Sequence, residues 1–298
     1  MLPWQNKSLS SYLEYCNIIF LPRRARCALC DLNPLNINKQ RGQRVQREED
    51  LSILLQDSLY YRVLALLVII LCSGCAFKAL YREDNMTNFE NERQHLVYDI
   101  VAKSVHNPLV LKALNEVPRH LFIPKELRAQ SYKNHPVEIG YGQTISQPLI
   151  VAMMTDALNI KPDHKILEIG TGSGYQAAVL SKLAREVYSI EIVEELAEHT
   201  QELLKNLGFD NIQTKIGDGS NGWQEHAPYD GIIVTAASRE LPPAFLSQLK
   251  EGGVLVIPIG REDQHLKIFE KKNGFFQEKD LGAVRFVPMT GEVLKAKA

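Results

Sequence analysis

The chain is 298 residues long, with 45% hydrophobic, 23% charged and 8% aromatic residues and a formal net charge of −1. These proportions exclude wholesale disorder, collagen-like repetition and a polytopic membrane protein, and they leave room for one large domain or two smaller ones. Because 34 Lys+Arg stand against 35 Asp+Glu, no basic excess favours a polyphosphate, and nucleic acid is not expected as a partner.

Residues 1–61 show no sustained hydrophobic periodicity and read as a poorly structured N-terminal extension. All five cysteines, Cys16, Cys27, Cys30, Cys72 and Cys75, fall in the first 75 residues. Neither a disulfide framework nor a cysteine nucleophile is therefore expected in the rest of the chain. Cys27–Cys30 and Cys72–Cys75 each have the spacing of half a zinc site. The gap between the pairs far exceeds zinc-ribbon spacings, so they read as unliganded thiols and no metal is expected.

Residues 62–77 form an apolar, signal-like segment: Arg62, then an uncharged run from Val63 to Phe77. The run is short of the roughly 20 residues that cross a bilayer as a helix, and has the length of a signal-peptide apolar region. Ser73-Gly74-Cys75 resembles a lipoprotein cleavage site with Cys75 as the lipidated residue. A signal belongs at an N-terminus, yet 61 residues precede Arg62. Either the product begins close to this run or near Met86, or the chain carries an internal anchor. The cytoplasm is favoured over an envelope lipoprotein anchored at Cys75, and membrane contact is expected only through residues 62–77.

Residues 86–298 are orderly and read as one domain. Asn91–Val105 and Pro108–Val117 have the apolar spacing of helices, and Val117–Pro124 is punctuated by prolines as a loop. Strands and helices then alternate. Strands are predicted at Lys165–Ile169, Val187–Ile190, Ile212–Ile216, Gly231–Thr235 and Val254–Ile259. Helices are predicted at Ser173–Ala184, Glu194–Leu207 and Pro243–Leu249, the last ended by Gly252-Gly253. Leu266–Phe269 and Val284–Val287 are expected as antiparallel additions. The alternation predicts an α/β fold: a doubly wound, mostly parallel Rossmann-like sheet with helices on both faces and antiparallel C-terminal strands.

Ligands of such sheets sit beyond the carboxyl ends of the strands, where the strand order reverses. The first predicted strand runs into Glu168-Ile-Gly170-Thr171-Gly172-Ser-Gly174-Tyr175. A phosphate loop needs Gly-Lys-Ser/Thr where Tyr175-Gln176 stand, and a dinucleotide fingerprint needs its last glycine where Tyr175 stands. What fits in full is Glu-x-Gly-x-Gly-x-Gly, which resembles the first motif of class I S-adenosylmethionine-dependent methyltransferases. The leading carboxylate suits a cationic amino group. Glu191 closes the next strand, placed to accept from a ribose diol. Asp218 follows the third, placed to meet an adenine amino group. Singly each acid reads as a solvated carboxylate or a helix cap; together they define a cofactor set of Glu168, Gly170, Thr171, Gly172, Gly174, Glu191, Asp218 and Gly219.

Gly140-Tyr-Gly-Gln143-Thr-Ile-Ser-Gln-Pro148 is polar and glycine-rich and suits a loop closing over a site, with a turn capping the next helix as the simpler alternative. Four segments sharpen the reading: Val117-Pro-Arg-His-Leu-Phe122, Gln143-Thr-Ile-Ser-Gln-Pro148, the glycine loop, and Val284-Arg-Phe-Val-Pro-Met-Thr290. In this order, over roughly residues 90–292, they resemble the protein-L-isoaspartate O-methyltransferase family. The resemblance implies methyl transfer from S-adenosylmethionine to the free α-carboxylate of L-isoaspartyl residues in damaged proteins and peptides. It also implies Ser146 as the active-site residue, a hydrogen-bond donor to that carboxylate, with Thr144, Ile145, Gln147 and Thr290 shaping the substrate pocket. A carboxylate with a pKa around 4 is a competent nucleophile at neutral pH, so the absence of a catalytic dyad is no objection. A different methyl acceptor, or an envelope binding module on the same fold, stands as the alternative.

Overall fold

The computed structural model describes residues 88–292. The N-terminal extension, the segment 62–77, the cysteine pairs and Cys75 lie outside the described residues.

Residues 88–94 are α-helical and continue into a π-helical stretch, His95–Ile100, and a 3-10 turn, Val101–Lys103. Leu96, Val97 and Val101 are its buried face. The next helix, α1 (Pro108–Glu116), starts where sequence places it. Asn107 caps it by accepting from the Leu109 amide, and Pro108 at its first position loses no hydrogen bond. Val117–Pro124 holds a short 3-10 turn, Arg119–Phe122, rather than plain loop.

The glycine-rich block is more ordered than a loop. β1 (Val137–Gly140) and β2 (Gln143–Ile145) pair antiparallel as a hairpin whose tip is left-handed at Gly140, Tyr141 and Gly142. Pro148 then opens α2 (Pro148–Ala157).

The main sheet contains β3 (Lys165–Ile169), β4 (Glu186–Glu191), β5 (Ile212–Ile216), β6 (Tyr229–Val234), β7 (Leu249–Ile259), β8 (Gln264–Lys272) and β9 (Phe275–Val284), in the order β5-β4-β3-β6-β7-β8-β9. β3 to β7 pair parallel, and β8 and β9 are added antiparallel. Between them run α3 (Tyr175–Ser181), α4 (Glu194–Asn206) and α5 (Pro243–Gln248). The order reverses between β3 and β6, so the switch point lies at their carboxyl ends.

Alternation along the central strands divides two cores. Leu167, Ile169, Ile232, Val234, Leu255 and Ile257 point to one face, against Phe245 of α5. Ile166, Ile233 and Val256 point to the other, against Met154 of α2 and Leu180 of α3. Each fully buried side chain of this size contributes about 1.5–3 kcal/mol.

Two expectations need correction. Gly252-Gly253 does not end a helix: the chain is already in β7 from Leu249, and the pair sits in a bulge where Tyr229 opposes Leu249 but Gly231 opposes Val254. The last strand is Phe275–Val284, not Val284–Val287. β9 is mostly exposed, so its polar residues carry no core-facing alternation. Its signal was the turn Asn273-Gly274, left-handed at both residues (φ 52° and 78°) and suited to a tight hairpin.

Candidate active site

The glycine loop leaves β3 at the switch point with φ of +94° at Gly170, +54° at Gly172 and +83° at Gly174. A side chain there costs roughly 1–2 kcal/mol per residue in backbone strain. Packing adds to the requirement at two of them. A Cβ on Gly170 would lie 2.5 Å from Thr235 Oγ1, and one on Gly174 2.7 Å from Thr200 Cγ2. Those same threonines hold the loop, Thr235 donating to the Gly170 carbonyl at 2.6 Å and Thr200 to the Gly172 carbonyl at 2.7 Å.

The three acids occupy different situations. Glu191, at the end of β4, lines the cleft and is 6% exposed. Its Oε2 accepts from the Gly172 amide at 2.8 Å, and its Oε1 from the amides of Ile192 and Val193 at 2.9 and 3.0 Å. One carboxylate therefore ties the glycine loop to the turn after β4. Glu168 is fully buried beneath the loop and does not line the cleft, so the expected direct hold on a ligand ammonium has no geometric basis. Ser189 donates to its Oε2, and its Oε1 has no hydrogen-bond partner among the described residues. Burial pushes its pKa up to about 8. Asp218 also lies off the cleft wall, whereas its neighbour Gly219 is on it. Its carboxylate accepts from the Ser220 amide at 2.8 Å and from the Glu292 amide at 2.6 Å, tying the C-terminal segment to the turn after β5.

The opposite wall comes from β2 and the segment after β9. Thr144, Ile145 and Ser146 line the cleft, and Thr290 closes it from the far side. Thr290 is brought there by two backbone bonds: Ala237 donates to the Val287 carbonyl and Met289 to the Ala237 carbonyl, both at 2.8 Å. The Ser146 hydroxyl makes no hydrogen bond within the described residues, which leaves it available to a ligand. Gln147 donates to the Asn134 carbonyl at 3.1 Å and lines an adjoining groove rather than the cleft itself. That groove, bounded by Pro136, Ile150 and Ala283–Val287, shares Thr144, Ser146, Thr235 and Val287 with the cleft.

Gly170, Thr171, Gly172, Glu191 and Gly219 thus meet Thr144, Ile145, Ser146 and Thr290 around one cleft of about 820 Å³, its open mouth included. Gly174, buried against α4, shapes the loop from behind. The sequence reading missed Ile192 and Thr235. Ile192, 39% exposed at the cleft, is an apolar residue directly after a strand-end acid, which was the available signal. Among the described residues no group of three or more His, Cys, Asp or Glu is placed to hold a metal.

A doubly wound sheet whose glycine loop and strand-end carboxylate share a cleft with a polar second wall defines a methyltransferase of the S-adenosylmethionine-dependent class. A model of the protein-L-isoaspartate(D-aspartate) O-methyltransferase family matches residues 91–294, and the chain belongs to that family. Protein-L-isoaspartate O-methyltransferases of Dictyoglomus turgidum and Opitutus terrae are 50% identical over 213 residues and 48% identical over 232 residues. Those matches cover 71% and 77% of this chain and 97% of each relative. Among solved structures, a protein-L-isoaspartate O-methyltransferase superimposes with a TM-score of 0.61 at 30% identity, covering 67% of each chain. A putative protein-L-isoaspartate O-methyltransferase from Plasmodium falciparum, in complex with S-adenosyl-L-homocysteine, gives a TM-score of 0.59 at 27% identity, covering 66% of this chain and 98% of that one.

Proposed function

We infer that the chain transfers the methyl group of S-adenosylmethionine to the free α-carboxylate of L-isoaspartyl residues in damaged proteins and peptides, the first step in returning them to L-aspartyl. The observation that carries this is the second wall: Ser146, whose hydroxyl makes no hydrogen bond among the described residues, stands where the cofactor cleft opens into the groove beside Ala283–Val287.

The cleft residues fit the cofactor. Two left-handed glycines, Gly170 and Gly172, bring backbone to the cleft, Glu191 lines it with a carboxylate, and Ile192 offers an apolar flank to a base. When bound, S-adenosylmethionine supplies an electrophilic methyl group on a positively charged sulfur. The protein's residues then have to orient a nucleophile that is already ionised. Ser146 donates a hydrogen bond to one carboxylate oxygen and leaves the other facing the cofactor. Thr144 and Thr290 shape the walls on either side. No side chain needs to remove a proton, and alignment alone can supply roughly 7–11 kcal/mol. Glu168 supports the loop from below, and Asp218 holds the segment that carries Thr290.

The test uses labelled S-adenosylmethionine and two peptides of one sequence, one with isoaspartate and one with normal aspartate. Base-labile label on the isoaspartyl peptide only is the expected outcome. Label on both peptides, or on neither, would refute the acceptor assignment. We place the enzyme in the cytoplasm, where its methyl donor is made; a mature mass showing a lipidated Cys75 would refute that location.

A further inference from the structure

Arg119, in the 3-10 turn after α1, is fully buried. Its Nε donates to the Ser131 carbonyl at 2.9 Å, and its Nη2 donates to the Ser146 carbonyl at 2.8 Å. The guanidinium lies over the ring of Tyr175, 4.9 Å from its centroid, and Tyr175 is itself a cleft residue. Nη1 has no hydrogen-bond partner among the described residues.

A buried cation costs several kcal/mol in lost hydration and is ordinarily matched by a carboxylate. Here the groups that bear on its charge are the hydroxyls of Tyr175 and Tyr132, and burial lowers its pKa to about 10. The surroundings deepen the imbalance. Burial first, then Arg128 and Arg93, push the His120 imidazole down to about 4, and among the described residues no carboxylate is ion-paired with Arg93, Arg119 or Arg128. The other wall is the reverse: there the Glu191 carboxylate lines the cleft. The cleft therefore carries a carboxylate, Glu191, on one wall and the Arg119 guanidinium behind Ser146 on the other.

We propose that Arg119 is a positioning residue for the methyl acceptor, which fixes Ser146 through its backbone carbonyl, clamps Tyr175, and provides the positive charge that the substrate carboxylate completes. This rests on the reading of the site as one for an isoaspartyl carboxylate. The reaction neutralises that carboxylate as the ester forms, so the charge of Arg119 favours the bound anion more than the transition state. Its removal therefore acts more on KM for the peptide than on kcat.

The experiment compares the full chain with Arg119→Met and Arg119→Lys. Four quantities are read: kcat and KM for an isoaspartyl peptide, affinity for S-adenosylhomocysteine by calorimetry, and inhibition by the same peptide carrying the uncharged isoasparaginyl amide. Arg119→Met is expected to raise KM about 10- to 100-fold, the effect of losing an interaction with a charged group. Cofactor-product affinity should hold, and the preference for carboxylate over amide should fall. Arg119→Lys, which retains the charge but not the fork, should keep that preference and recover part of KM. Unchanged KM and unchanged acid-over-amide preference in Arg119→Met would overturn the proposal. So would a parallel loss of S-adenosylhomocysteine affinity in both variants, the mark of a purely structural role. Failure of the wild-type chain to methylate the isoaspartyl peptide would instead overturn the functional reading.

Discussion

Replacing Glu191 by glutamine changes few atoms but strikes the joint between the two halves of the cofactor cleft. The carboxylate accepts three amides, Gly172 on one oxygen and Ile192 and Val193 on the other. An amide has one accepting oxygen, and it satisfies most donors by keeping that oxygen toward Ile192 and Val193. The Gly172 amide then faces an NH2 group, losing a charge-assisted bond of about 1.5–3 kcal/mol, while the other two bonds weaken toward neutral strength. The sum is about 2–4 kcal/mol. For a domain of this size it lowers Tm by about 4–16 °C. Because the freed segment is the glycine loop, S-adenosylhomocysteine affinity falls about 10- to 100-fold as well. Thermal unfolding of the ligand-free protein and calorimetry of the same samples read the two effects separately. A Tm and an affinity both equal to wild type would refute the claim that this carboxylate organises the site.

Ser146→Ala is expected to reduce kcat/KM for an isoaspartyl peptide by about 10-fold or more, the worth of a hydrogen bond to a charged group; S-adenosylhomocysteine affinity stays unchanged in calorimetry. Gly170→Ala forces a side chain at φ +94° against Thr235 Oγ1, and urea unfolding should show a loss of about 2–4 kcal/mol from strain and overpacking together. Glu168 has its pKa raised by burial from 4.5 to about 8. Its contribution to stability is therefore fully present below about pH 4.5 and is lost as pH rises towards 8. Urea unfolding of Glu168→Gln across this range should show the wild type losing stability relative to the variant as pH rises, and parallel profiles would contradict the assignment.

The sheet was legible because its central strands are continuous apolar runs flanked by helical periodicity, as in Ile232-Ile-Val234 and Val254–Ile259. β9 was misplaced because an exposed edge strand has no face to bury, so Gln277 to Lys279 carry no pattern. In the site, the glycine loop and Ser146 were readable because backbone conformation and a family motif constrain residue type directly. The roles of the acids were not. Whether a strand-end carboxylate faces a ligand, the loop or the next segment depends on which backbone amides converge on it, and sequence spacing does not contain that. The place of Arg119 was hidden for a similar reason: its segment carries the family resemblance, but only the packed structure shows the guanidinium buried behind Ser146.

The central claim is that the acceptor atom is an oxygen of the isoaspartyl α-carboxylate. Its most direct test is fragmentation mass spectrometry of the methylated peptide, trapped at low pH before the ester collapses. The account predicts the methyl on the isoaspartyl residue, and on continued incubation at neutral pH the appearance of the aspartyl peptide. A methyl on a glutamate, on the C-terminal carboxylate or on a nitrogen would contradict it.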